Sequence, residues 1–142
     1  MEPIVVDSSV VIKWFVPEPL SDEALRLLTA YETGALSLLA PDLLCAELGN
    51  IIWKKQTLQG LEAADAEAAL AALFDLDIIV TPSATLLDTA YHLAVTHRRT
   101  VYDMLYVALG LRVNCRFVTA DERLVNAVQT LLPNVVWLGN WS

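Results

Sequence analysis

Short apolar runs alternate with longer amphipathic stretches along this chain, and the alternation predicts strands separated by helices. Ile4–Asp7 is apolar and β-branched up to its closing acid, the pattern of a strand buried on both faces. Ser8 and Ser9 then stand where they would cap a helix through Phe15. Ser21, followed by Asp22 and Glu23, opens a second helix that stops at Gly34. Leu36–Pro41 reads as a strand and Asp42–Lys55 as a helix with two lysines at its favourable end. Leu61–Phe74 is helical, Asp77–Pro82 a strand, and Ser83–His97 helical again. Arg98–Thr100 makes a junction into a helix starting at Val101. Cys115–Asp121 is a strand, Glu122–Leu132 a helix, and Asn134–Leu138 a last strand. No strand is followed by a two-residue hairpin signal, so the expected sheet is mostly parallel, with helices on both faces. There is no repeat, linker or low-complexity stretch, and residues 1–142 read as one α/β domain.

Composition narrows the class. Apolar residues make up 56% of the 142, charged residues 18%, as in a chain that folds around a core. Seventeen acids against nine bases give a net charge of −8, which argues against attraction to nucleic acid or membrane through net charge alone. The start of the chain lacks a basic, apolar leader, and no continuous apolar span reaches about 20 residues. A cytoplasmic protein with no membrane contact is the expectation. Cys45 and Cys115 sit among apolar neighbours without C-x-x-C spacing, so buried thiols are expected.

Four acids stand out against this background. Asp7 and Asp121 each follow a strand, where ligands of open parallel sheets bind. Each also has a plainer role as the cap of the next helix. Glu47 and Asp103 lie on helices with apolar surroundings. For Glu47 the plain reading is a solvated flank shared with Asn50 and Lys54; for Asp103 it is a first-turn acid answering the helix dipole. If all four share one crevice, electrostatics become restrictive. Two carboxylates about 4 Å apart repel by roughly 4 kcal/mol at an effective dielectric near 20. Protons or cations must offset that, and oxygen donors suit Mg²⁺ or Mn²⁺. Such an ion would equip the crevice to cut a polyanion.

Other chemistries lack their residues. His92 and His97 are five apart with no H-E-x-x-H partner, and there is no G-x-S-x-G elbow, phosphate loop or dinucleotide fingerprint. Trp14, Trp53, Trp137 and Trp141 suit core or interface positions better than a base-stacking platform. A phospho-receiver domain would need paired acids after the first strand and a lysine after the last, and Ser8 and "VVWLGNWS" stand there instead.

The segments "IVVDSSVVIKWF", "PDLLCAELGNIIWK", "TVYDMLYVALGL" and "FVTADERL", in this order, resemble the PIN-domain ribonucleases, above all the VapC type from prokaryotic toxin–antitoxin pairs. The resemblance implies a three-layer α/β/α PIN-like fold. It makes Asp7, Glu47, Asp103 and Asp121 the catalytic and metal-binding acids, with Thr119 and Ser8 in support. It further implies a Mg²⁺- or Mn²⁺-dependent endoribonuclease, homodimerisation, and a cognate antitoxin protein as partner. Met104 departs from the alanine that usually follows the third aspartate, a change of packing that leaves the ligand set intact. Glu122 adds a neighbouring acid whose simpler role is a solvated helix start. Lys13 and Arg112 are the basic residues put forward for RNA phosphates, ahead of Lys54, Lys55, Arg98, Arg99, Arg116 and Arg123. The alternative within this fold is a non-catalytic scaffold that binds RNA or protein.

Overall fold

A computed structural model describes residues 1–142. The elements are β1 (Glu2–Val6), α1 (Ser8–Val11, prolonged by a 3₁₀ turn to Trp14), α2 (Ser21–Glu32), β2 (Leu36–Pro41), α3 (Leu43–Leu58), α4 (Ala63–Phe74) and β3 (Ile79–Thr81). A 3₁₀ turn at Ser83–Thr85 leads into α5 (Leu87–His97), followed by α6 (Val101–Val113), β4 (Arg116–Thr119), α7 (Glu122–Val128) and β5 (Val135–Trp137). All five strands are parallel, in the order β3-β2-β1-β4-β5. The three-layer α/β arrangement expected from the alternation is therefore present. Ile4, Val5 and Val6 are all buried although successive side chains leave a strand on opposite faces, so both faces of β1 are covered.

The chain runs outward from β1 to β2 and β3, then returns across the sheet to β4 on the other side of β1. That reversal opens a crevice beyond the carboxyl ends of β1 and β4, the place where such sheets hold ligands. Ile4 pairs with Arg116 and Val6 with Val118, so Asp7 and the Thr119–Asp121 turn leave the sheet side by side.

The returning helix, α6, explains why its sequence is apolar all round. It packs on β1, β2 and β4 and is backed by α5. Seven consecutive residues, Met104 to Gly110, are buried, so no turn of that stretch faces water. At Gly110 a Cβ would stand 3.2 Å from the Asn134 amide and 3.4 Å from the Cys115 carbonyl, so helix and strand approach closely there. Thr100 caps the amino end by accepting from Asp103 N–H at 3.1 Å, and Asn114 closes the other end in the left-handed conformation.

Several expectations need correction. The cap of α1 is Asp7; Ser8 and Ser9 are its first helical residues. The helix expected to reach Leu132 ends at Val128, ahead of Pro133, and α3 continues past Lys55 to Leu58. Cys45 is exposed and Cys115 only partly buried. Leu44, Leu48 and Ile52 form the inward stripe of α3, which turns Cys45 and Trp53 outward by one helical step. No helix is long and apolar enough to cross a membrane.

Burial on α6 sets a stability test. Leu109 is 1% exposed and Leu58 71% exposed. Leu109→Ala is expected to cost about 2–5 kcal/mol in urea unfolding, and Leu58→Ala to stay within about 0.5 kcal/mol of the parent. Equal losses would contradict the placement of α6.

Candidate active site

Asp7 is held by hydroxyls and by the start of a helix. Its Oδ1 accepts from Ser9 Oγ at 2.5 Å, Ser9 N–H at 3.1 Å and Val10 N–H at 3.3 Å. Its Oδ2 accepts from Thr119 Oγ1 at 2.6 Å. Apart from Tyr106, Thr119 is the only buried residue with a polar side chain. The Thr119 oxygen also accepts from Asp121 N–H at 3.1 Å, while Ser9 Oγ accepts from Ala120 N–H at 3.0 Å. The ends of β1 and β4 are thus stitched together by two hydroxyls. Asp121 caps α7 by accepting from Leu124 N–H at 3.2 Å through Oδ1, leaving Oδ2 to the crevice. Capping and membership of the crevice are therefore compatible, since a carboxylate has two oxygens.

Glu47, on the second turn of α3, accepts from the Tyr106 hydroxyl at 2.5 Å. Tyr106 is buried in α6 and lies nearly parallel to the Phe117 ring, centroids 5.7 Å apart. That stacking fixes the phenol, and the phenol orients the carboxylate. Asp103, on the first turn of α6, has Oδ2 3.7 Å from the Arg99 guanidinium, which also stands 3.5 Å from Asp121 Oδ2.

The electrostatics tie the acids into a chain. Burial pushes Asp7 up to about 6, against the hydrogen bonds from Ser9, Thr119 and Val10, and the Glu47 charge adds to the rise. Burial also raises Glu47, with the Tyr106 bond opposing and Asp103 reinforcing. Asp103 is raised by burial, opposed by Arg99 and reinforced by Asp121. Burial, and then donation to Glu47, push the Tyr106 phenol far above its ordinary range, so it stays a donor. Asp7, Glu47, Asp103 and Asp121 are consequently neighbours in pairs.

No three acids, histidines or cysteines stand close enough together to hold one ion in this arrangement. The donor set nonetheless suits a hard cation: it is all oxygen, partly buried at Asp7, Glu47 and Asp103, and offset by a single nearby cation, Arg99. Mg²⁺ commonly takes only one or two carboxylates and completes its shell with water. Asp7, Glu47, Asp103 and Asp121 are the residues that fit such an ion.

The other expected site residues divide. Thr119 is in contact with Asp7, but the serine hydroxyl bonded there is that of Ser9, not Ser8. Lys13 pairs with Glu18 at 3.0 Å, and Lys55 reaches the same carboxylate at 2.5 Å. Although burial opposes it, the bonds from Lys55 and Lys13 hold the Glu18 carboxyl below its ordinary range. Ser9, Lys13, Glu18, Lys54, Lys55 and Gln59 line one cleft of about 230 Å³, and Ser9 joins it to Asp7. Arg112 lies roughly 13 Å beyond Asp103 along α6, where it donates to the Thr85 hydroxyl at 3.0 Å and to the Thr85 carbonyl. Arg116 pairs with Glu2 at 2.9 Å and covers Trp141 at the amino end of the sheet. Glu122 is exposed and bonds none of the four acids. Sequence reasoning gives Ser9 only a capping role, gives none to Tyr106 or Glu18, and places Arg99 among the lesser candidates for RNA phosphates.

The Asp7 shift has a sign that unfolding can read. Its folded value is raised, so between about 4 and 6 the folded state binds more protons than the unfolded chain. Stability from this group is then highest below the unfolded value and falls as pH rises through about 6. Without divalent ions, the protein is expected to lose up to about 3 kcal/mol between pH 4 and pH 7.5 from Asp7 alone. Chemical denaturation at both pH values checks this, and Asp7→Asn is expected to shrink the difference.

Comparison with known proteins bears out the fold. Residues 4–128 match the family model described as PIN domain. Ribonuclease VapC3 of Pyrobaculum aerophilum is 32% identical over 132 residues, spanning 91% of this chain and 97% of that protein. Among solved structures, PAE2754 of Pyrobaculum aerophilum superposes with a TM-score of 0.70 at 22% identity, covering 97% of this chain and 85% of the other. VapBC2 of Rickettsia felis, solved bound to a DNA fragment from its promoter, gives a TM-score of 0.64 at 14% identity, covering 95% and 96%. The chain belongs to the PIN-domain family, and its kinship runs to the VapC ribonucleases.

Proposed function

We propose that this protein is a Mg²⁺- or Mn²⁺-dependent endoribonuclease, acting in the cytoplasm as the toxin of a type II toxin–antitoxin pair. The observation that carries the reading is the stitched end of β1 and β4. There the Asp7 carboxylate is desolvated, raised to about 6, and first in a chain of neighbouring acids that runs through Glu47 and Asp103 to Asp121. A structural acid would gain nothing from being held short of charge in this way, whereas a cation-binding acid would. The Tyr106–Glu47 and Thr119–Asp7 bonds satisfy buried hydroxyls, and they also aim carboxylate oxygens that a non-catalytic scaffold would not need to orient.

A bound divalent ion would supply Lewis acidity at an RNA phosphate and ease deprotonation of the attacking water. The chain's own residues do the rest. Asp7 offers a carboxylate whose position is set by Ser9 and Thr119. Glu47 gives one oxygen to Tyr106 and keeps the other free to take a proton from water. The cleft lined by Lys13, Lys54 and Lys55 carries the flanking RNA phosphates. Lys54 lies seven residues beyond Glu47, about 10 Å along α3, within reach of a neighbouring nucleotide. Arg112 is engaged by Thr85 and Arg116 by Glu2, so Lys54 is preferred to them as the phosphate contact in this reading.

Partners follow from surface and kinship. Leu87, Tyr91 and Val95 are all exposed and recur every four residues on α5, an apolar stripe suited to a second copy of this chain. The solved VapBC2 relative supports an antitoxin as the other partner.

RNA cleavage is expected to fall roughly 100-fold or more in Asp103→Asn and in Glu47→Gln, with circular dichroism unchanged. EDTA is expected to abolish cleavage and Mn²⁺ to restore it; cleavage that persists in EDTA would overturn the metal reading. Lys54→Ala is expected to weaken RNA binding and lower its salt dependence by about one counter-ion. Size-exclusion chromatography with light scattering is expected to give a dimer for the parent and a monomer for Val95→Asp.

A further inference from the structure

Arg99 occupies a place that helix physics does not favour. It stands in the junction where Arg98, in the left-handed conformation (φ 55°), closes α5 and Thr100 opens α6. A cation there faces the positive end of the α6 dipole. It also precedes its acid at i,i+4, the less favourable order for such a pair. What holds it is a pair of carboxylates from different elements. One guanidinium nitrogen lies 3.7 Å from Asp103 Oδ2 and 3.5 Å from Asp121 Oδ2. Both contacts are long, neither carboxylate receives a hydrogen bond from it, and the side chain is 25% exposed. Asp103 and Asp121 repel each other, and Arg99 is the positive charge that offsets this.

We propose that Arg99 is a built-in, displaceable counter-ion. Its guanidinium spans Asp103 and Asp121 when no divalent ion is bound, competes with that ion, and moves aside when it enters. The geometry fits such exchange better than a structural bridge. A structural pair would be short and bidentate, whereas this one is loose, single-pronged and open to water. Arg99 is then a positioning residue that sets the ion concentration at which the acids fill. This rests on the metal-dependent reading above.

The test is calorimetric titration of Mn²⁺ into the full chain without RNA. Arg99→Gln is expected to bind Mn²⁺ roughly tenfold more tightly than the parent, the size of effect that one neighbouring charge exerts on a carboxylate. Arg99→Lys is expected to keep most of the parent's weaker affinity, because it restores the charge. Unchanged or weaker binding in Arg99→Gln, with the parent binding normally, would overturn this inference alone. Failure of Mn²⁺ to bind either protein would overturn the metal reading and this inference with it.

Discussion

One hydroxyl organises this molecule. Thr119 ends β4 in a fully buried position and donates to Asp7, while its oxygen receives the Asp121 backbone. A buried hydroxyl must find partners or cost free energy. Here the partners it finds lie at the ends of two adjacent strands. The same bonds that satisfy Thr119 hold the carboxyl edge of the sheet in register. They also aim Asp7, so packing and chemistry share one constraint.

Around that point the protein concentrates polar character into a small region. Elsewhere the core is apolar, with strands covered on both faces and α6 immersed over seven consecutive residues. This surrounding leaves Asp7, Glu47 and Asp103 only partly solvated, and their raised values follow from burial before any mutual repulsion is counted. Two devices moderate the cost. Tyr106 and Thr119 donate hydrogen bonds to individual oxygens, and Arg99 lends a charge to the outer pair. The balance left over is a deficit of positive charge, which is the property a cation-dependent centre requires.

Much of this arrangement was legible in the sequence, because it rests on local pattern. The strands at Ile4–Val6 and Phe117–Thr119 announce themselves by apolar runs, and the acids that follow them mark the crevice. Asp103 was conspicuous because nothing else on α6 is charged until Arg112. What escaped depends on rotation or on distant contacts. Ser8 and Ser9 are indistinguishable as letters, and only the turn of α1 decides which hydroxyl meets Asp7. Tyr106 looked like one more apolar residue until Glu47, 59 positions earlier, met its hydroxyl. Cys45 was misjudged because its neighbours are apolar while its own direction is outward. Arg112 was favoured for nearness in sequence, yet a straight helix carries it away from the acids.

The span of the Thr119–Asp7 bond also bears on when the protein becomes active. The two residues are 112 positions apart, and β1 cannot gain its second neighbour until β4 has been made. Contacts so distant in sequence form late and slowly. During synthesis, a chain emerging from the ribosome holds β1, β2 and their helices long before β4 exists. Asp7 therefore waits without the Thr119 hydroxyl, one of the two that orient it, until about five-sixths of the chain is complete. The edge of the sheet that holds Asp7 is thus among the last parts of the chain to be closed.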